Sequence, residues 1–380
     1  MAAVSQCVQI LRELIAIPSV NPAFLATGDP RTGEKNVGAW VAEFASREGL
    51  DVDLQPVAPG RMNVLARLTP SGTVSKRILL APHLDTIGEP NLNAQLIPET
   101  RNGRIYGRGA CDTKGCVASM LLALAKLARG GQRPAETEIV FLGLVDEENF
   151  QLGSRHYATH GEPGDLAIVG EPTKLEVVSA HKGDLWLQLR TTGKSAHGAT
   201  PHLGISAVRR MAAVVELLEG EYREWIAQRS HPLLGCPTIN VGTIAGGRQP
   251  NVVPADCFIS IDRRTLPGET ETGVKREIRE FLKKRGLAVQ FDNLRIAACE
   301  PLETDPNRTL VQSFCAAARK SATRGVHYFC DAAPLAAGGT PSIVFGPGDI
   351  AQAHTSAEWI SAAQLDRAVD IIERFLRVQP

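Results

Sequence analysis

No stretch of the 380-residue chain approaches the ~20 consecutive apolar residues that a bilayer-spanning helix needs. Charge of one sign is not in excess. The 41 basic and 41 acidic side chains cancel, which argues against a dedicated nucleic-acid or membrane-surface binder. The eight cysteines are scattered and none falls in a C-x-x-C. The first residues carry no basic region, and Arg12 and Glu13 interrupt their apolar stretch. They read as an amphipathic helix ended by Pro18, not as a signal peptide. Reduced thiols in a cytoplasm are therefore expected, without disulfides. There is no internal repeat and no low-complexity segment. What is present is an ordinary globular balance, 43% hydrophobic and 22% charged. The 35 glycines and 24 prolines make a turn-rich chain of short elements. That composition excludes a coiled coil, a collagen-like fibre and a disordered protein. The length exceeds what a single core usually fills, so two domains are expected.

The first half alternates helix and strand signals. Val4, Val8, Leu11 and Ile15 share one helical face, and Val37, Trp40, Val41 and Phe44 share another. Arg77–Pro82, Glu138–Val145 and Asp165–Val169 are short apolar runs suited to strands covered on both faces. Residues 115–129 between the first two form a strong helix. From 184 the pattern changes. Leu185, Leu187 and Leu189 alternate with polar residues, as on a half-exposed strand. A long helix follows over about 205–227, then strands near 238–245 and 256–263, a helix near 271–285 and a strand near 287–291. This β-α-β-β-α-β order is the split, ferredoxin-like unit. After about residue 294 the α/β signal returns: a helix over 310–319, a strand over 342–345 and a closing helix over 358–377. The expected fold is thus α/β. A helix-sandwiched mixed sheet from 1–180 and 294–380 forms the catalytic body. An α+β ferredoxin-like lid or dimerisation domain over 181–293 is inserted in it.

Sites in such folds lie at the carboxyl ends of the strands. There the sequence places His83-Leu84-Asp85, Glu147-Glu148 and Glu171. A loop after the 342–345 strand reaches His354. Asp112 stands just before the strong helix, in Gly107-Arg-Gly-Ala-Cys-Asp-Thr-Lys-Gly115. No G-x-S-x-G elbow and no phosphate-binding lysine loop is found. The glycines near Asp112 are read as bends that turn it inward. Imidazole and carboxylate ligands suit zinc. Five of them exceed the needs of one catalytic zinc and suit two ions ~3.5–4 Å apart. Asp112 would bridge, with His83 and Glu171 on one ion and Glu148 and His354 on the other. Two zinc ions balance three carboxylates and a bridging hydroxide. Glu147, adjacent to a ligand, is left free to act as base. Asp85 stands where a metal-bound imidazole takes its outer partner.

The motifs APHLDT, GRGACDTKG, VDEEN, VGEPT, KSAHGATPH and DRRTLPGE, with the late His354, resemble the dizinc aminoacylase and carboxypeptidase family. That family includes acetylornithine deacetylase, succinyl-diaminopimelate desuccinylase and glutamate carboxypeptidase. The likeness runs in order along nearly the whole chain. It implies two Zn²⁺ ions, with Co²⁺ as a substitute, on the five ligands above, and Glu147 as base. It implies a cis Asp112–Thr113 peptide. It assigns the lid histidine to His197, the lid arginine to Arg264 and a substrate-proximal lid residue to Asn251. Two features depart from the usual pattern. Cys111 puts a thiol beside the bridge, and Arg263 leaves open which arginine faces the site. The expected reaction is hydrolysis of an N-acyl amino acid in amino-acid metabolism, with the lid pairing two copies into a homodimer. A small carboxypeptidase or dipeptidase taking a short peptide with a free carboxylate is the alternative. A non-catalytic zinc-binding protein on the same scaffold is the remoter one.

Overall fold

The chain, in a computed structural model that describes residues 4–89, 92–131 and 133–380, divides into two compact units. The first runs to Ser179 and resumes over Thr304–Arg324 and Cys330–Pro380. The second holds Ala180–Glu303 and Gly325–Phe329. The sequence pattern puts the return to the first body at 294, but Leu294–Glu303 stays with the second unit. Its backbone is satisfied there: Leu294 N donates to Trp186 O, and Asp184 and Cys299 exchange N–H···O bonds of 2.7 and 3.0 Å. Lys182 N likewise takes Val326 O as its acceptor.

The core of the first unit is a mixed sheet flanked by helices, as the apolar runs implied. Within this unit the strands lie in the order Asp51–Ala58, Arg61–Leu68, Thr137–Gly143, Lys76–Pro82, Leu166–Gly170 and Ser342–Val344. The four from Thr137–Gly143 to Ser342–Val344 are parallel to one another. Thr137–Gly143 and Leu166–Gly170 are buried at every residue, which is why they carry no polar alternation. Helix Lys114–Arg129 packs against Gln6–Ala16 and Ala362–Arg377. Ser5 caps Gln6–Ala16 by accepting from Val8 N, so Val4 lies ahead of the helix and is exposed, while the first three residues are outside the described ones. The hairpin Asp51–Leu68 was not evident in the sequence, because Pro56 interrupts its first strand, an edge strand where a missing donor is tolerated. The closing helix begins at Ala362, four residues later than its periodicity suggests. Trp359–Ser361 is instead a strand paired with Arg104–Tyr106.

The second unit is a four-stranded antiparallel sheet in the order Thr238–Gly246, Asp256–Thr265, Gly183–Thr192, Gln290–Asn293. Helices Ala207–Leu217 and Glu271–Lys283 complete the ferredoxin-like connectivity expected for it. The first continues through a wider turn at Leu218–Tyr222 into Arg223–Ile226. Leu185, Leu187, Leu189, Ile259 and Ile261 pack with Met211, Val214 and Ile278. Asp256–Thr265 alternates buried and half-buried residues along its whole length, the pattern of a sheet covered on one face.

Candidate metal centre

Strand register assembles the site. Pro82 pairs with Gly170, so the next residues, His83 and Glu171, leave the sheet as neighbours. His83 also bridges to Leu144 on the other side, three residues before Glu147. Asp112 arrives from the loop ahead of helix Lys114–Arg129, and its peptide to Thr113 is cis. In that loop Gly109 has φ 80, and a Cβ on it would meet Thr86 and Lys114 at 2.9 Å. His354 comes from the loop after Ser342–Val344, with φ 60. The result is one cluster. His83 Nε2 lies 3.0 Å from Asp112 Oδ1 and 3.9 Å from Glu171 Oε1. His354 Nε2 lies 3.4 Å from Asp112 Oδ2 and 3.0 Å from Glu148 Oε2. Each oxygen of Asp112 therefore faces a different imidazole.

Charge is concentrated here. Burial pushes Glu147 well above the usual carboxylate range, and Glu171 adds to the effect. Burial and then Asp112 push Glu171 up. The same two causes bring Glu148 up to about 7. Burial also acts to raise Asp112, but hydrogen bonds from His354 and His83 outweigh it and hold this carboxyl low. His354 is raised to about 10 by Asp112 and then Glu148. An imidazole nitrogen facing a carboxylate oxygen at this distance holds either an N–H hydrogen bond or a metal ion between them. The ligand atoms of His83, Asp112 and Glu148 lie within 4.8 Å of one another, and so do those of His83, Glu147 and Glu171. This donor set fits zinc-like ions.

Asp85 does more than its assigned part. His83 Nδ1 donates to the Asp85 backbone oxygen at 3.0 Å, with Asp85 Oδ1 at 3.4 Å. The Asp85 carboxylate is occupied elsewhere, accepting from Glu147 N and Glu148 N at 3.1 Å each. Asn21 Nδ2 donates to the same carboxylate at 2.8 Å and to Asp146 at 2.9 Å. Asp146, at φ 70, is held in turn by Arg61, which also pairs with Glu34. One buried polar network thus carries His83, Glu147 and Glu148 together. Asn21, Arg61 and Glu34 were missed in the sequence, where only the N-P dipeptide at Asn21 offers any signal. Glu358 was missed as well. Asp331 is a further buried acid of this unit, pushed up to about 7 by burial, with Ser154 Oγ donating to it at 2.5 Å. The Cys111 thiol donates to Asp349 O at 3.3 Å, and burial raises its pKa, so it stays a protonated packing group.

The remaining residues singled out in the sequence lie in the second unit. His197 is exposed, bridges to Val252, and accepts from Ala199 N at its Nδ1. Gly198 N donates to Asn251 O at 2.7 Å, so the His197 and Asn251 segments run together. Arg263 is fully buried and tied to Glu269 at 2.7 Å. Arg264 keeps 28% of its side chain exposed and bonds to Asp262 at 2.9 and 3.0 Å. Of the two arginines, Arg264 is the one with a face open to solution.

Fold and cluster together define a metallo-amidohydrolase. Comparison with known proteins makes this specific. Residues 79–378 match the model of Peptidase family M20/M25/M40, and the chain belongs to that family. It is 31% identical over 374 residues to an acetylornithine deacetylase of Vibrio cholerae, covering 94% of this chain and 96% of the other. The acetylornithine deacetylase of Aliivibrio salmonicida is 30% identical over 357 residues, covering 90% and 91%. Among solved structures, a tripeptidase from Staphylococcus aureus superposes with a TM-score of 0.79 at 20% identity, over 98% and 97% of the chains. A family M20 metallo-carboxypeptidase from Sulfolobus solfataricus gives 0.75 at 19%, over 98% and 99%. Among the described residues, no helix is long and apolar enough to cross a membrane.

Proposed function

We propose that the protein is a zinc-dependent deacylase that hydrolyses the amide bond of an N-acyl amino acid. The observation that carries this reading is Asp112, whose two oxygens face His83 and His354 from opposite sides. His83, Asp112 and Glu171 would hold one ion, and Asp112, Glu148 and His354 the other. When bound, such ions lower the pKa of a water and polarise an amide carbonyl. Glu147 takes the proton released and returns it to the leaving nitrogen, acting as base and then as acid. Glu147 is buried, 8% exposed, beside the ligands, on a backbone pinned by Asp85. The names of the sequence relatives support a deacylase over a peptidase. All eight cysteines are free thiols, which supports a reducing, cytoplasmic setting. The direct test is hydrolysis with zinc or cobalt added, over acetylornithine, succinyl-diaminopimelate, other acetyl amino acids, glutamate conjugates and dipeptides. Turnover confined to dipeptides would replace the deacylase reading with a dipeptidase. No turnover of any member by metal-loaded protein would favour a binding role.

Arg264, with Asn251 beside it in function, is assigned the substrate's α-carboxylate, which a planar guanidinium grips with two donors. Arg264→Ala is expected to raise KM at least tenfold more for free-carboxylate substrates than for their amides, by about 1.4 kcal/mol or more. Equal effects on both substrate series would remove the assignment.

His197 is assigned as the hydrogen-bond donor to the developing oxyanion, supplied by the partner in a homodimer joined through the second unit. Its exposure on the unit's surface suits such a role. Glu147→Gln and His197→Ala homodimers should each be inactive. Mixed and allowed to exchange, they should regain activity, because one site of each heterodimer carries both intact residues. Exchange without recovery would refute the shared site.

A further inference from the structure

Asp112 and His354, which face each other at 3.4 Å, come from loops 242 residues apart in the chain, and a third residue joins those loops. Glu358 is 2% exposed. Its Oε1 accepts from Cys111 N at 2.8 Å and Asp112 N at 3.0 Å. Its Oε2 accepts from Gly109 N at 3.0 Å and Arg108 Nη1 at 2.8 Å. Three backbone amides of the Asp112 loop thus converge on one buried carboxylate. Arg108, 1% exposed, carries the connection onward. It pairs with Glu89 at 2.7 Å and donates to Thr355 O at 3.3 Å, the carbonyl next to His354. Gly107 N donates to Glu358 O at 3.1 Å, and the strand that follows pairs Trp359 with Tyr106.

We propose that Glu358 is a positioning residue for the metal pair, setting the tilt of Asp112 against His354. The inference rests on the metal reading above and names no new ligand. Its physical basis is the number of bonds and their direction. Bonds to a buried carboxylate are stronger than neutral ones. Here they fix the peptide nitrogens of Cys111 and Asp112 themselves, so the carboxylate of Asp112 has little freedom beyond its own rotamer. The Asp112 oxygens face rings at 3.0 and 3.4 Å, so a small rotation of this backbone lengthens one contact as it shortens the other. The ion that Asp112, Glu148 and His354 would hold is the more sensitive. His354 is half-exposed, and Arg108 holds the carbonyl beside it.

Glu358→Gln supplies one acceptor oxygen and turns an NH₂ toward amides that can only donate. Three neighbouring N–H groups and Arg108 then compete for one oxygen. The measurement is metal affinity by chelator competition, with the visible spectrum of the Co²⁺ form and the Tm of metal-free protein taken alongside. The expected result is a roughly 10–100-fold loss of affinity for one of the two ions and a changed cobalt spectrum, with the other ion affected less. The Glu358→Asp variant, which keeps the charge but shortens the arm, should recover part of that loss. Arg108→Lys keeps the charge but loses the forked donor. It should weaken the same ion while leaving the three amide bonds in place, and it serves if Glu358→Gln does not fold. A Glu358→Gln protein that is less stable when metal-free, yet binds two ions with unchanged affinity and spectrum, would show that the residue only supports the fold. Wild-type protein that binds no ion would instead overturn the metal reading.

Discussion

Glu147→Gln should lower kcat by ~10²–10⁴-fold while the protein still binds its full complement of metal, because a positioned general base contributes about that much. The carboxamide has nearly the same shape but cannot take the proton. The alternative role for this residue is a ligand, and the geometry makes that alternative concrete, since Glu147 shares a 4.8 Å cluster with His83 and Glu171. Metal content therefore decides between the two. Retained metal with lost turnover identifies the base. Lost metal makes Glu147 a ligand, and near-normal turnover removes it from the chemistry. The substitution should barely change stability. Glu147 is anchored through its backbone N–H to Asp85, not through its carboxylate.

The second large effect belongs to Asp112→Ala. Both imidazoles turn toward its oxygens, so its removal deprives both ion positions at once. Turnover should fall to background. The clearer measurement is stability against added zinc. An ion bound only by the folded state, at a hundredfold excess over its Kd, stabilises by about 2.7 kcal/mol. Wild-type Tm should therefore climb with zinc, and the variant's should stay flat. An Asp112→Ala protein that keeps one tightly bound ion and the matching part of the Tm rise would mean that the aspartate serves a single ion. Glu148→Ala and Glu171→Ala then locate which one remains.

Most of the ligand candidates legible in the sequence share one property: each follows an uninterrupted apolar run. A buried parallel strand announces itself by lacking polar residues. Its carboxyl end is then found by reading on into the first histidine or acidic cluster, which contains His83, Glu171 and, just after Asp146, Glu147 and Glu148. Asp112 was reachable because glycines mark its bend. The supporting residues had no such marker. Asn21 meets Asp85 across 64 positions and Asp146 across 125. Glu358 meets Cys111 across 247. Such partners are created by the fold, and nothing local distinguishes Glu358 from a solvated glutamate at a helix start. The strand Trp359–Ser361 was hidden for a related reason. Three residues are too few to separate the period of a strand from that of a helix.

Asp85 grips the main chain beneath residues 147 and 148 and does not itself bond their side chains. The backbone anchoring of the centre thus does not depend on whether residue 147 carries a carboxylate or a carboxamide. A lineage could exchange that glutamate for glutamine in one step, keep the Asp85 anchoring of the loop and, on the proposed reading of Glu147 as the base, lose most of its turnover. On the proposed reading, folding alone would not oppose the change, and selection on the reaction would be what preserves Glu147. On that same reading, the scaffold is thus one codon away from a chain that keeps its ligand cluster and no longer turns over.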